Sequence, residues 1–183
     1  MMNAGHDPRS VANLILDRAD QYGLSVSNLA LQKLLYFAHG FFLTSQARSL
    51  VAGYFEAWRH GPVHPAVYHS FKAAGEKPIS FRAVRRDPLS GVESPLPNVD
   101  DPDVEKVVAK VLIAFGDISP GRLVELSHAK GAPWDYVVSQ AEGRVALALR
   151  IPDNVIRDRF KHHKVTIGPV PRTGEPLDDS PLA

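Results

Sequence analysis

The chain has 183 residues, 44% of them hydrophobic and 22% charged, with a net charge of +1 and no cysteine. That is one domain's length, enough to bury a core without staples; it excludes a disulfide framework, a thiol nucleophile and a cysteine-based zinc site. The balanced charge lacks the basic footprint of a nucleic-acid binder. No stretch reaches the roughly 18 apolar residues of a membrane span and no signal peptide opens the chain, so a soluble, cytoplasmic protein is expected.

Asp7-Pro8 reads as a helix start, an amide-capping side chain followed by a proline at the first helical position. Val11, Leu14, Ile15, Ala19 and Tyr22 recur at helical spacing, and Gly23 supplies a stop. Ser27 caps a second predicted helix, with Val26 and Leu31 at the two positions of a hydrophobic staple. Its main apolar face is Leu31, Leu34, Leu35, Ala38, Phe41 and Phe42, widened by Leu29, Phe37 and Leu43. That breadth makes it the central helix of the core.

"GYFEAWRHGP" is short, aromatic and roughly alternating, so a strand ending at Gly61-Pro62 is expected. Pro65 opens a short helix that Gly75 ends, and "ISFRAV" is read as a second strand. Residues 86–100 lack periodicity and are expected as a loop or hairpin tip. Asp101-Pro102 repeats the cap-then-proline device. Val104, Val107, Val108, Val111, Leu112 and Phe115 follow as an amphipathic helix. Ser119-Pro120, Pro133 and Pro152 each open a further helix. From Val165 onward there are four prolines and little apolar material, the composition of a flexible tail. The expected architecture is mostly α within an α+β class. A compact helical domain over 8–164 carries a small β-sheet or hairpin, and 165–183 forms the flexible tail.

No phosphate-loop, dinucleotide, zinc-protease or nucleophile-elbow motif occurs. "SHAK" at 127–130 matches S-x-x-K but reads as a helix end before Gly131-Ala132-Pro133. His60, His64, His69 and His128 do not form a metal pattern, because Gly61-Pro62 breaks any helical face between the first two. Neither a metal nor another cofactor is expected. "RFKHHK" at 159–164 and Arg82, Arg85 and Arg86 form basic patches, read as solvated faces. The informative stripe lies in the second helix. Gln32, Tyr36 and His39, at i, i+4 and i+7, share one face, and Lys33 and Gly40 flank them. Either these residues bond to neighbouring backbone within the fold, with Gly40 admitting another segment, or the stripe faces a groove that holds a partner.

"LQKLLYFAHGFFL" followed by "FEAWRHGPVHPAVYHSF" resembles the Panacea domain family, which includes SocA-like antitoxins and phage-associated GepA-type proteins. Leu31 to Ala38 match its first motif. Phe55, Glu56, Ala57, Trp58, Gly61, Pro62, Val63, Tyr68 and Phe71 match its second. Leu123, Ser127, His128 and Trp134 match a later segment. His60 stands where many relatives carry Tyr. The resemblance covers roughly residues 8 to 160. It implies a non-enzymatic antitoxin that binds and neutralises a cognate protein toxin, SocB-like or unrelated. In the SocA-like branch it implies a proteolytic adaptor that delivers the toxin to ClpX of the ClpXP protease. Gln32, Lys33, Tyr36, His39, Glu56 and Trp58 are the expected partner-binding residues. Glu56 is expected to meet Lys33, and Trp58 to lie against Gly40. Two alternatives stand beside this reading: a small hydrolase using His60, His64 and Glu56, and a DNA-binding autorepressor using residues 159–164.

Overall fold

The structure, a computed structural model, describes residues 4–141 and 149–168. Helix α1 spans Pro8–Gln21, and the Asp7 carboxylate accepts the Arg9 amide at 2.9 Å, the expected cap. Gly23 follows at φ +69°, a left-handed stop that a Cβ would strain. Helix α2, Asn28–Gln46, starts at Ser27, whose hydroxyl accepts the Ala30 amide. Helix α3 spans Pro65–Phe71. Helix α4, Pro102–Phe115, is capped by Asp101, and α5, Pro120–Ser127, by Ser119. Helices α6, Pro133–Gln140, and α7, Asp153–Arg159, close the series. Each predicted helix forms where a local capping or proline signal places it. The protein is an α+β fold dominated by helix, as expected.

The strands depart from expectation in three places. "GYFEAWRHGP" is not one strand but a hairpin of β1, Phe55–Trp58, and β2, Gly61–Val63, with Trp58 opposite Gly61. Gly61 takes φ +95° to leave the turn. Pro62 is tolerated because β2 is an edge strand. Of "ISFRAV" only Val84 enters a strand. That strand, β3 over Val84–Arg86, pairs with β4, Glu93–Pro95, in a separate exposed hairpin. Ala83 is kept out of any ladder because the Asn13 amide occupies both its N–H and its carbonyl, at 2.8 and 2.9 Å. The third difference is β5, Arg150–Ile151, which no sequence signal announced. It pairs antiparallel with β1 and completes the order β2-β1-β5.

Helix α2 is the axis of the core. It packs against α1, α3, α4, α5, α7 and β2, and every residue from Ala30 to Gly40 is buried. Leu29, expected on the apolar face, is instead 36% exposed, although its neighbours Asn28, Ala30 and Leu31 are buried. The expected tail begins with Val165 and Ile167 packed on the core; its remainder, 169–183, lies outside the described residues.

Candidate functional site

A helix covered on all sides should be apolar all round, and each polar group in it needs a partner to offset lost hydration. All four polar residues of the α2 row find one. Gln32 donates to the Asn28 side chain at 3.2 Å and accepts the His64 amide at 2.9 Å. Tyr36 donates to His163 Nε2 at 2.9 Å. The other ring nitrogen, Nδ1, donates to the Leu126 carbonyl at 3.0 Å. This pairing needs a neutral imidazole, and burial accordingly pushes His163 down to about 4. His39 donates from Nε2 to Asp153 at 2.9 Å, and Asp153 also accepts the Ser49 hydroxyl. Burial alone would raise the Asp153 carboxyl. The bonds from His39 and Ser49 and the Arg157 charge outweigh it and hold the group below its ordinary range.

Lys33 is the exception in kind. It is fully buried, donates to the Pro62 carbonyl at 2.8 Å and has no carboxylate partner among the described residues. Burial pulls its ammonium down to about 7. The expected Glu56–Lys33 pair does not form, because Glu56 accepts the Trp58 indole N–H at 2.6 Å instead. Trp58 does not lie on Gly40 either. Phe160 does, so closely that a methyl group at position 40 would overlap its ring. At Gly61 a side chain would run into the Ser127 hydroxyl and the end of Lys33, so that glycine is required by space as well as by φ. Trp134 donates to the Trp58 carbonyl at 2.8 Å and stacks on His128 with ring centroids 3.8 Å apart. His128 Nε2 is buried without a partner among the described residues. Burial, reinforced by the charges of Lys33 and His60, lowers its pKa.

The expected partner stripe therefore points inward. Gln32, Lys33, Tyr36 and His39 are each at most 1% exposed, and their polar atoms are committed to the fold. Glu56 and Trp58 remain half-buried. Trp58 forms one wall of a groove of about 280 Å³, with Tyr68 edge-on to it at 4.8 Å. Leu29 and Val63 line the groove, Asn28 and Gln32 contribute polar side chains, and Arg59 and His60 border it.

The comparisons with known proteins meet this geometry at the same residues. The profile of the family described as antitoxin SocA-like, Panacea domain, matches residues 31–135. The chain is also 47% identical to Antitoxin SocA of Caulobacter vibrioides (strain NA1000 / CB15N) over 175 residues, 96% of this chain and 93% of that protein. No solved structure gives a significant match. The chain belongs to the SocA-like Panacea-domain antitoxin family.

The motif residues that carry the Panacea resemblance converge in space. Lys33 of α2, Gly61-Pro62 of β2, Ser127-His128 at the end of α5 and Trp134 of α6 come from four separate segments and meet in one knot. The hydrolase trio is not assembled. Glu56 serves Trp58, His64 donates from Nε2 to the Ala52 carbonyl at 2.9 Å, and His60 is exposed in the turn, so none bonds to another. Among the described residues no group of three or more His, Cys, Asp or Glu is placed to hold a metal ion. No described helix is long and apolar enough to cross a membrane. The basic run 159–164 is broken, since Phe160 and His163 are buried and the Arg159 guanidinium lies over Tyr136 at 3.5 Å. Arg82 is neutralised by Asp17 and Asp20. Sequence reasoning missed Asp153, His163 and Phe160 as partners of the α2 row. Only the glycine inside an apolar helix hinted that something had to approach.

Proposed function

We propose that this protein is the antitoxin of a toxin–antitoxin pair, that it neutralises a cognate protein toxin by direct binding, and that it hands the bound toxin to a ClpXP-type protease. The observation that carries the reading is the near full-length 47% identity to Antitoxin SocA. The geometry supports it. The polar residues best suited to chemistry are consumed in packing, while an aromatic-walled groove suited to a protein anchor stays accessible. Binding without turnover makes rescue stoichiometric.

The test is co-expression with each flanking gene whose product arrests growth, in cells with and without ClpX. Rescue should require antitoxin at least equal to toxin, and toxin half-life should shorten only where ClpX is present. Rescue by a trace of antitoxin in cells lacking ClpX would refute binding and indicate an enzyme. The composition of residues 165–183, four prolines and few apolar residues, bears on delivery, since a tethering segment raises local cargo concentration at a protease. Deletion of residues 169–183 should leave toxin binding intact and slow degradation. Unchanged degradation would show that the folded domain contacts the protease by itself.

A further inference from the structure

We propose that the groove between the first turn of α2, the β1–β2 turn and α3 receives a large apolar side chain flanked by a carboxylate, carried on a surface segment of the toxin. The proposal rests on the antitoxin reading above and names the partner chemistry of that activity. The volume, about 280 Å³, lies just below the roughly 300–1,000 Å³ of small-molecule sites and suits one protein side chain. The walls are pre-set rather than adaptable. The Trp58 indole is pinned by Glu56 at 2.6 Å and braced edge-on by Tyr68, so little ordering entropy is lost when they are covered. Gln32 offers little to a polar guest, because it bonds to the Asn28 side chain and to the His64 backbone, and the Asn28 amide N–H is left as the one polar group on that wall. An apolar group is what remains to fill the space. Leu29, 36% exposed on the opposite wall, would be covered by it.

Charge selects what accompanies that group. Among the described residues no carboxylate lines the groove. Arg59 and His60 stand exposed on its border, and Arg59 has no ion-pair partner among the described residues. The positive end of the 19-residue α2 helix opens beside them, with no acidic residue in its first turn. The one carboxylate on the Trp58 face of β1, Glu56, is already engaged by the indole. A segment with Leu, Met or Phe next to Asp or Glu complements both the socket and its border.

The experiment measures binding of the toxin that the wild type rescues, immobilised in a biosensor, to wild type, Leu29→Glu, Arg59→Glu and Leu89→Ser. A melting scan checks that each variant is folded. An acidic residue in the first turn of α2 is favourable for the helix, so Leu29→Glu retains the fold. Leu29→Glu and Arg59→Glu should each weaken affinity about tenfold or more, and Arg59→Glu should also flatten its salt dependence. Leu89, 97% exposed at the tip of the β3–β4 hairpin, is the competing apolar surface, and Leu89→Ser should bind as wild type does. Affinities of both groove variants within twofold of wild type, or loss confined to Leu89→Ser, overturn the proposal. A second arm selects displayed random peptides on the wild type and counter-screens them on Leu29→Glu. Enrichment of an apolar residue beside Asp or Glu, lost on the variant, supports the groove even if no toxin is rescued and the antitoxin reading fails. Absent enrichment, or enrichment beside Lys or Arg, overturns the groove while leaving that reading standing.

Discussion

Replacing Lys33 with methionine should remove a pH dependence from the stability of this protein. The ammonium is fully buried with a single acceptor, the Pro62 carbonyl. Its neighbours are the Ser127 hydroxyl, which itself donates to the Val124 carbonyl, and the depressed His128 imidazole. None supplies a negative charge. Burial lowers the folded-state value from 10.5 to about 7. The unfolded chain then holds a proton that the folded chain releases between about pH 7 and 10.5, so stability rises with pH across that window. At 1.36 kcal/mol per unit, the rise between pH 7 and 10 is on the order of 4 kcal/mol. Below pH 7 both states are protonated and the contribution is constant. Tyr36 is fully buried and shifted well above 10. It acts in the opposite direction above pH 10 and is common to both proteins, so it cancels in the difference. Urea unfolding of wild type and Lys33→Met at half-unit steps from pH 6.5 to 10 gives the two curves. The wild-type curve should climb relative to the variant. Parallel curves would show that Lys33 keeps an ordinary pKa in the folded protein and would refute the account of an uncompensated buried amine.

Leu35, wholly buried in α2, should cost about 2–5 kcal/mol on truncation to Ala, and a chemical-denaturation loss below about 1 kcal/mol would place the helix at the surface. Gly40→Ala gains about 1 kcal/mol of helix propensity, yet its methyl meets the Phe160 ring, and overpacking of about 1–3 kcal/mol should leave a net loss. A double-mutant cycle with Phe160→Leu should recover part of it, and strict additivity would disprove the contact. His163 falls from 6.5 to about 4 through burial. Its stabilising contribution should therefore be complete above pH 6.5 and lost as pH drops to 4, by roughly 3 kcal/mol, and His163→Phe should flatten that acid limb in thermal melts.

Helix starts were legible because each is a contact between near neighbours. Asp7 reaches Arg9, Ser27 reaches Ala30, Asp101 reaches Asp103 and Ser119 reaches Arg122, all within three residues, so the pattern and the contact are the same object. The sheet was not legible in this way. Strand β5 is two residues long and exists only because β1 offers it an edge, and Ala83 leaves the ladder for a side chain 70 residues away. The polar row shows the divide within one element. Its i, i+4, i+7 spacing revealed the stripe, but Tyr36 and His39 meet partners 127 and 114 residues along the chain. Nothing local states whether a stripe faces protein or solvent. The exposure of Leu29 was illegible for the same reason: it is set by what packs on that side of the helix, not by its neighbours in sequence.

On the proposed reading, the distribution of motif residues separates what holds the fold from what meets a toxin. Lys33, Gly61, Pro62, Ser127, His128 and Trp134 lock α2, the hairpin, α5 and α6 together. Replacing any of them acts on packing and stability before it reaches a partner. The groove mixes two kinds of residue. Trp58, Val63 and Tyr68 belong to the family pattern and build the apolar socket, whereas Leu29, Arg59 and His60 lie outside it and surround the opening. On the proposed reading the socket provides a common anchor point, and the border sets which flanking charge is accepted. Exchange of Arg59 and His60 for acidic residues, with Trp58 and Tyr68 untouched, should then redirect the chain toward basic-flanked anchors without lowering its melting temperature.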